Sequence, residues 1–478
     1  MAVRSAFERS RGHLNDWLFL AAPPDPPVTL RRALVCAAIA AVATAIQLLR
    51  MWSSLPLDSL WAEDGGVWLG VARNGELLDA LTTPHNGYLQ ATSRLVAASV
   101  AELPLEWYPA GMAIAGAGIV TGCAFLVWRV SAAHIQTPYL RAALAAMVIL
   151  LGAAGTETLA NVTNSIWFLL FACFWLLLWR PAKFATAAGA AALVFLVAVT
   201  TIGALFLFPL WLLRLIAVRG RRDVVILVAF AAGVAVQLAF SWNDLGLGPE
   251  GPVFNPIPAG LEGSSRAYWD WELVPAFAQR VVGGATMGQP VNAYLWTQLG
   301  AVYAIVLGVG AIALVAGGLA IRHTRILVPL AVATALALFL ASGYQRWGTG
   351  GLFLFWPDGE SSREGTRYLI TPILLMFSAL FVWLDAAPRG ASGRDVPPAG
   401  WVAIQAASTV FVLFCALASF SIGDRVTRGA LPWSESLAAG RAECQAGDPT
   451  EVLILLNHPP LDAFSLPLPC SDLEETGS

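Results

Sequence analysis

The chain has 478 residues, 57% of them hydrophobic and 12% charged; its mean hydropathy is +0.67 and its formal net charge −3. Soluble globular proteins carry about 25% charged residues, so a soluble domain is excluded and a polytopic membrane protein is indicated. Nucleic-acid binding is excluded as well, because no basic stripe exists.

Residues 1–32 contain Arg4, Arg9, Arg11, Arg31 and Arg32 and lack the short apolar core and small-residue cleavage site of a secretory signal. They read as a cytoplasmic segment, with Trp17, Leu18, Phe19 and Leu20 as an interfacial anchor. A helical run of about twenty apolar residues spans a hydrocarbon core roughly 30 Å thick. The first such run covers about 33–51; others follow at about 107–128, 142–158, 164–179, 184–201, 203–218, 224–242, 296–320, 326–343, 367–386 and 400–422. The expected fold is therefore all-α, a transmembrane helical bundle of about 11 spans within 33–422. In the long loop after the first run, Tyr88 to Leu103 contains Arg94 and Glu102 yet spaces Leu89, Leu95, Val96 and Val100 as a helix does. This segment reads as a helix lying in the membrane interface. The apolar stretch through Thr200-Thr201-Ile202-Gly203 has to fold back as a hairpin, and 423–478 form a polar tail.

An odd number of spans places the two ends of the chain on opposite sides, and the basic residues agree. Arg129 and Arg141, Arg180 and Lys183, Arg219, Arg221 and Arg222, Arg322 and Arg325, and Arg389 and Arg394 all fall on the N-terminal side, which the positive-inside rule makes cytoplasmic. Glu63, Asp64, Glu76, Asp79, Glu157, Asp244, Glu250, Glu262, Asp270, Glu272, Asp358, Glu360 and Glu364 fall on the other side. Polar chemistry thus faces outward from a plasma membrane, with the tail extracytoplasmic. Cys36, Cys123, Cys173 and Cys415 lie in apolar runs and read as small apolar residues. Cys444 and Cys470 stand in the tail, where an oxidising compartment lets them form a disulfide.

The conspicuous polar stretch is Leu60-Trp61-Ala62-Glu63-Asp64-Gly65-Gly66-Val67-Trp68. Adjacent carboxylates with little hydration repel, so one of them has a raised pKa unless a cation or donor sits beside it. A carboxylate held in a cleft is what a general base requires. A solvated acidic turn flanked by interface tryptophans fits the local sequence equally well.

An acidic pair early in a long first outer loop, followed by an interfacial helix and short later loops, resembles the GT-C superfamily of polytopic membrane glycosyltransferases of actinobacterial envelopes. The resemblance covers roughly the whole chain, and its sequence signature is Glu63-Asp64 in a Trp-x-Glu-Asp-Gly run. It implies an inverting transfer, in cell envelope biosynthesis, of a sugar from a polyprenyl-phosphate donor to a glycan or glycolipid acceptor at the outer face. Membrane lipid is a partner and nucleic acid is not. Glu63 and Asp64 are the catalytic candidates, and either can be the base. The resemblance also implies a late outer-loop arginine for the donor phosphate, for which Arg346, Arg363 and Arg367, with Tyr368, are candidates. His85, Asn86, Tyr88, Glu157, Asn161 and Asn164 are candidate substrate-binding residues, since amides, carboxylates and aromatic faces hold sugars. Trp61, Trp68, Trp269 and Trp271 can stack on the sugar or anchor the interface. No cofactor is certain; a divalent cation at the acidic pair is compatible with the pattern.

Two other classes compete. A carrier or flippase for an envelope lipid or small solute predicts ionisable residues near the midplane of spans and inverted repeats; the runs are almost charge-free, apart from Arg214, and show no repeat. A surface-polysaccharide polymerase or ligase predicts a dominant late outer loop with paired arginines, whereas the largest outer loops here are the first and the middle one.

Overall fold

The computed structural model describes residues 11–21, 23, 27–75, 77–152, 154–155, 158–218, 220–242, 273–287, 289–347, 366–392, 399–420, 431–447, 450–456 and 464–475. Each expected run contains a helix. In chain order these are α1 (Leu30–Arg50), the loop helix α2 (Ala91–Val100), α3 (Tyr108–Val130), α4 (Pro138–Leu150), α5 (Ile166–Leu178), α6 (Phe184–Thr200), α7 (Phe208–Ala217) and α8 (Arg221–Ser241). Then come α9 (Ala301–Ala320), α10 (Leu327–Trp347), α11 (Ile370–Ser392) and α12 (Ala399–Ala418). Among the described residues six helical stretches are long and apolar enough to cross a membrane, and shorter apolar helices lie among them. The chain is a multi-pass membrane protein.

Burial sorts the helices by their surroundings. In α5, Phe168 and the whole run Leu170–Leu178 are buried, and its side chains join those of α11 in the main core. A helix apolar on all faces and covered on all faces belongs at the centre of a bundle. By contrast α1, α9 and α12 leave Leu34, Ile39, Val42, Val306, Val309, Val410 and Phe414 exposed, as lipid-facing helices do.

Three expected segments need correction. The run at 142–158 ends as a helix at Leu150, because buried Arg50 at the end of α1 donates to the carbonyls of Ile149 (2.8 Å) and Leu151 (3.0 Å) and takes over the helix C-terminus. The run at 296–320 is interrupted at Gly300, whose φ of 52° separates the helix Gln289–Leu299 from α9. The Trp17–Leu20 segment is not an interfacial anchor. Leu18 and Phe19 are completely buried in the main core, Arg180 donates to the Phe19 carbonyl, and Arg11 and Asn15 both donate to the Ala217 carbonyl. The Arg325 guanidinium stands 4.7 Å from the Trp17 ring, so the N-terminal segment docks among the basic loops. The break at Thr201 occurs as expected: the residue is extended, and its hydroxyl caps the next turn by accepting from the Gly203 amide.

The tail is not merely polar chain. Helix α13 (Trp433–Gln445) precedes an antiparallel pair, β1 (Glu451–Leu455) and β2 (Ser465–Pro469), registered Glu451 to Pro469 and Leu455 to Ser465. Alternation buries Val452 and Ile454 on one strand and Leu466 and Leu468 on the other, on one face of the pair. Cys444 and Cys470 are joined, with α-carbons 5.6 Å apart. The module sits on the first loop. Trp433 Nε1 donates to the Leu105 carbonyl (2.9 Å), Ser434 donates to Asp58 from its amide and hydroxyl, and Arg73 and Arg441 pair with Asp472 and Glu106. Together the first loop and the tail bury a second core of Leu60, Trp68, Leu69, Val100 and Tyr108 with Leu437, Val452, Ile454, Leu466 and Leu468. The first loop and the tail therefore lie on one side of the bundle. Replacing both Cys444 and Cys470 by Ser opens a loop with sequence separation 26. The expected loss is about 3 kcal/mol of tail stability, read as an earlier denaturation midpoint of Trp433 fluorescence; an unchanged midpoint refutes it.

Candidate active site

The acidic pair is held by an unusual piece of backbone. Ala62 has φ 30°, a left-handed conformation that costs a residue with a β-carbon energy, and Asp64–Leu69 winds as a π-helix rather than an α-helix. Such conformations persist only where neighbours over-determine them.

The two carboxylates have different surroundings. Asp64 is buried, and its oxygens accept from the Val162 amide (2.9 Å), the Thr163 amide (2.9 Å) and the Thr163 hydroxyl (2.6 Å). Trp68, further along the same segment, donates from Nε1 to the Thr163 hydroxyl at 2.6 Å. The pair Asp64 and Trp68 thus clips the first loop to the turn between α4 and α5. Glu63 is only half-buried, and its Oε2 is inaccessible yet has no hydrogen-bond partner among the described residues. One carboxylate is a clip, and the other has an uncommitted oxygen.

Burial pushes the Asp64 carboxyl up to about 6, against the pull of its bonds from Thr163 and Val162 and with a small upward contribution from the Glu63 charge. A proton therefore binds the folded protein more tightly than the unfolded chain. Stability is fullest below about pH 4, where even the unfolded carboxyl is protonated, and is lost as pH rises through about 6. The displacement from 3.8 to about 6 corresponds to on the order of 3 kcal/mol. Denaturation between pH 4 and 7 should show that slope, and Asp64→Asn should flatten it; an equally steep slope in the variant assigns it elsewhere.

Around the pair the structure gathers several of the expected residues. His85 stands edge-on to Trp68, with ring centroids 5.1 Å apart, and its Nε2 is buried without a partner. Burial lowers its pKa, the Glu63 charge opposing and the Arg94 charge reinforcing that effect. Asn86 (φ 53°) and Gly87 (φ 84°) form the tight turn that connects the mutual backbone bonds of His85 and Tyr88. Two left-handed residues in sequence are what such a turn requires, so the Asn-Gly pair serves backbone geometry that presents His85. Asn161 Oδ1 accepts from the Asn164 amide (2.8 Å), and its Nδ2 is buried without a partner.

Arg367 and Tyr368 come to the far side of the same turn. Tyr368 meets the edge of Trp167 at 5.2 Å, the Arg367 guanidinium lies 5.1 Å from the Tyr368 ring, and Thr371 donates to the Trp167 carbonyl. Glu157, Arg363, Trp269 and Trp271 lie outside the described residues, as does the side chain of Arg346 at the end of α10.

Sequence reasoning passed over two participants. Thr163 bonds both Asp64 and Trp68. Arg94 on α2 is buried, donates from Nε to the Leu89 carbonyl (2.8 Å) and from Nη2 to the Thr83 carbonyl (2.6 Å), and lies 4.9 Å from the Trp68 ring. Burial lowers its pKa to about 10, which leaves it a cation at neutral pH. An arginine in an otherwise apolar helical face was the available signal. Among the described residues no three of His, Cys, Asp and Glu converge as metal ligands, and Asp64 spends both oxygens on protein donors. The donor set does not by itself fit a divalent cation.

No family model matches the chain, and no curated protein matches it in sequence. Among solved structures it is similar to the archaeal oligosaccharyltransferase AglB from Archaeoglobus fulgidus in complex with an inhibitory peptide and a dolichol-phosphate. The identity is 14% and the TM-score 0.39, over 87% of this chain and 58% of that one. It is also similar to the Archaeoglobus fulgidus oligosaccharyltransferase in complex with Zn and sulfate, at 14% identity and TM-score 0.33, over 84% and 55% of the two chains. This chain spans little more than half the length of either structure. A likeness of this size assigns no activity.

Proposed function

We propose that the protein is an inverting, GT-C-type glycosyltransferase that moves a sugar from a polyprenyl-phosphate donor to a glycan or glycolipid acceptor at the outer face of the plasma membrane. The observation that carries this reading is the division of labour in the acidic pair: Asp64 is committed to three protein donors, while Glu63 keeps a buried oxygen with no partner beside His85. A carboxylate so placed accepts a proton. The acceptor hydroxyl loses its proton to Glu63 as its oxygen bonds to the anomeric carbon; the carbon–oxygen bond to the lipid phosphate breaks, and the phosphate keeps the electron pair.

The leaving anion needs a cation. Arg94, buried and with no carboxylate partner among the described residues, is the cation we assign, and Arg367 beyond Trp167 is a second contributor. The sorting of charge supports this orientation. The N-terminal segment packs among Arg180, Arg322 and Arg325, and the opposite end bears Glu63, Asp64 and the disulfide-linked tail. Nucleotide sugars are made in the cytosol, so a site facing outward calls for a donor already on a lipid that has crossed the membrane.

The test is reconstituted protein assayed for transfer with a panel of polyprenyl-phosphate sugars and envelope acceptors; no transfer from any of them, with polyprenyl phosphate also failing to bind, defeats the proposal. Arg94→Gln is expected to weaken donor binding by about tenfold, roughly 1.4 kcal/mol, with a smaller change in turnover at saturation. A donor KM unchanged in that variant removes Arg94 from the phosphate subsite.

A further inference from the structure

The segment that presents Glu63 is strained, and the tail packs directly against it. A β-carbon built on Gly65 would stand 2.6 Å from Leu456 Cδ1, one on Gly66 3.1 Å from the Ser465 carbonyl oxygen, and one on Gly70 3.6 Å from Leu466 Cδ1. The hairpin therefore seats on successive positions of Asp64–Gly70, and the two glycines beside the acidic pair are the space it occupies. The same face contributes Trp68 and Leu69 to the core shared with Leu456, Leu466 and Leu468. Across this module runs the Cys444 to Cys470 bond, tying the end of α13 to the residue that follows β2.

A left-handed Ala62 followed by a π-helix relaxes toward ordinary α-helix unless something holds it. Asp64 holds one side through Val162 and Thr163; the tail is what covers the glycine side. We infer that the disulfide-closed tail, through Leu456 and the carbonyl edge of β2 at Ser465, is a positioning element for the Glu63 carboxylate. This rests on the reading that Glu63 takes the acceptor's proton. Leu456 touches no reacting atom; it acts by keeping Asp64–Leu69 wound as it is. A covering made from the same chain and locked by a covalent bond costs little ordering entropy, so it suits a structure whose task is to resist relaxation.

The full-length protein in lipid vesicles provides the test, with two readouts. Amide exchange over residues 64–70 reports the clamp without reference to chemistry, and steady-state transfer reports its consequence. Leu456→Ala should speed exchange at 64–70 by about tenfold or more while α5 and α11 stay protected. It should lower kcat about tenfold, with the donor KM unchanged within about twofold. Gly65→Ala should do the same by crowding Leu456. Combining Gly65→Ala with Leu456→Ala lets the new methyl occupy vacated space, so the double variant should return to within about threefold of wild type rather than adding the two losses. The double replacement of Cys444 and Cys470 by Ser should reproduce Leu456→Ala more mildly; if it does not fold, Leu456→Ala with the disulfide intact still decides.

Unaltered exchange at 64–70 in Leu456→Ala overturns the inference, and so does strict additivity in the double variant. A different failure marks the reading beneath it. If Glu63→Gln transfers sugar normally while the Leu456 variants loosen 64–70, the clamp stands and the assignment of Glu63 falls.

Discussion

Replacing Glu63 by Gln is expected to lower transfer by about 100-fold or more, the range for losing a positioned general base, while the protein folds normally and binds polyprenyl phosphate as before. The amide keeps the volume and cannot accept a proton. Because Oε2 has no hydrogen-bond partner among the described residues, its loss breaks no bond there, and little stability should go with it. The signature is a kcat that collapses while the donor KM holds. Thermal unfolding measured beside the kinetics completes the test. Near-wild-type transfer in Glu63→Gln removes the base from the mechanism, and a carrier for an envelope lipid then becomes the better account of an outward-facing polar site.

Asp64→Asn is expected to act through the fold instead. Three donors converge on Asp64, from the Val162 amide, the Thr163 amide and the Thr163 hydroxyl. An asparagine offers one oxygen and one NH2 group, so at least one buried N–H ends up facing another donor. Leaving a buried donor unsatisfied costs about 1–3 kcal/mol, and more when the lost acceptor was charged. The turn between α4 and α5 should then detach from the first loop, with a lower unfolding temperature and loss of activity together. Gly116→Ala approaches the same joint from α3, where a β-carbon would stand 2.8 Å from the Asn161 amide nitrogen. Backbone cannot step aside cheaply there, so a comparable loss of stability is expected. Should Asp64→Asn melt like wild type and lose turnover alone, Asp64 is the base and the roles of the two carboxylates are exchanged.

Much of the architecture is legible in the sequence because lipid imposes a simple rule. A backbone in hydrocarbon satisfies its polar groups inside helices, so each long apolar run announces itself. The pairing of Cys444 with Cys470 was readable for a similar reason: they are the cysteines outside the apolar runs. The proposed site was readable as a place, through two carboxylates between tryptophans in the first loop.

What the sequence left open are the properties that come from distant segments meeting. Nothing local distinguishes Glu63 from Asp64; Thr163, 99 positions away, makes one a clip and leaves the other an uncommitted oxygen. His85 and Arg94 gain their meaning from the Trp68 ring that both approach, and Asn86 sits in a turn that needs its left-handed backbone. Nothing in the local sequence shows that Leu456 and Ser465 stand against Gly65 and Gly66. Composition and periodicity report how each residue meets solvent or lipid, so they determine which segments become helices and where charge is tolerated. Which carboxylate has its oxygens satisfied, and which keeps an inaccessible oxygen without a partner among the described residues, depends on hydrogen-bond donors brought in across the fold, and only the tertiary structure decides it.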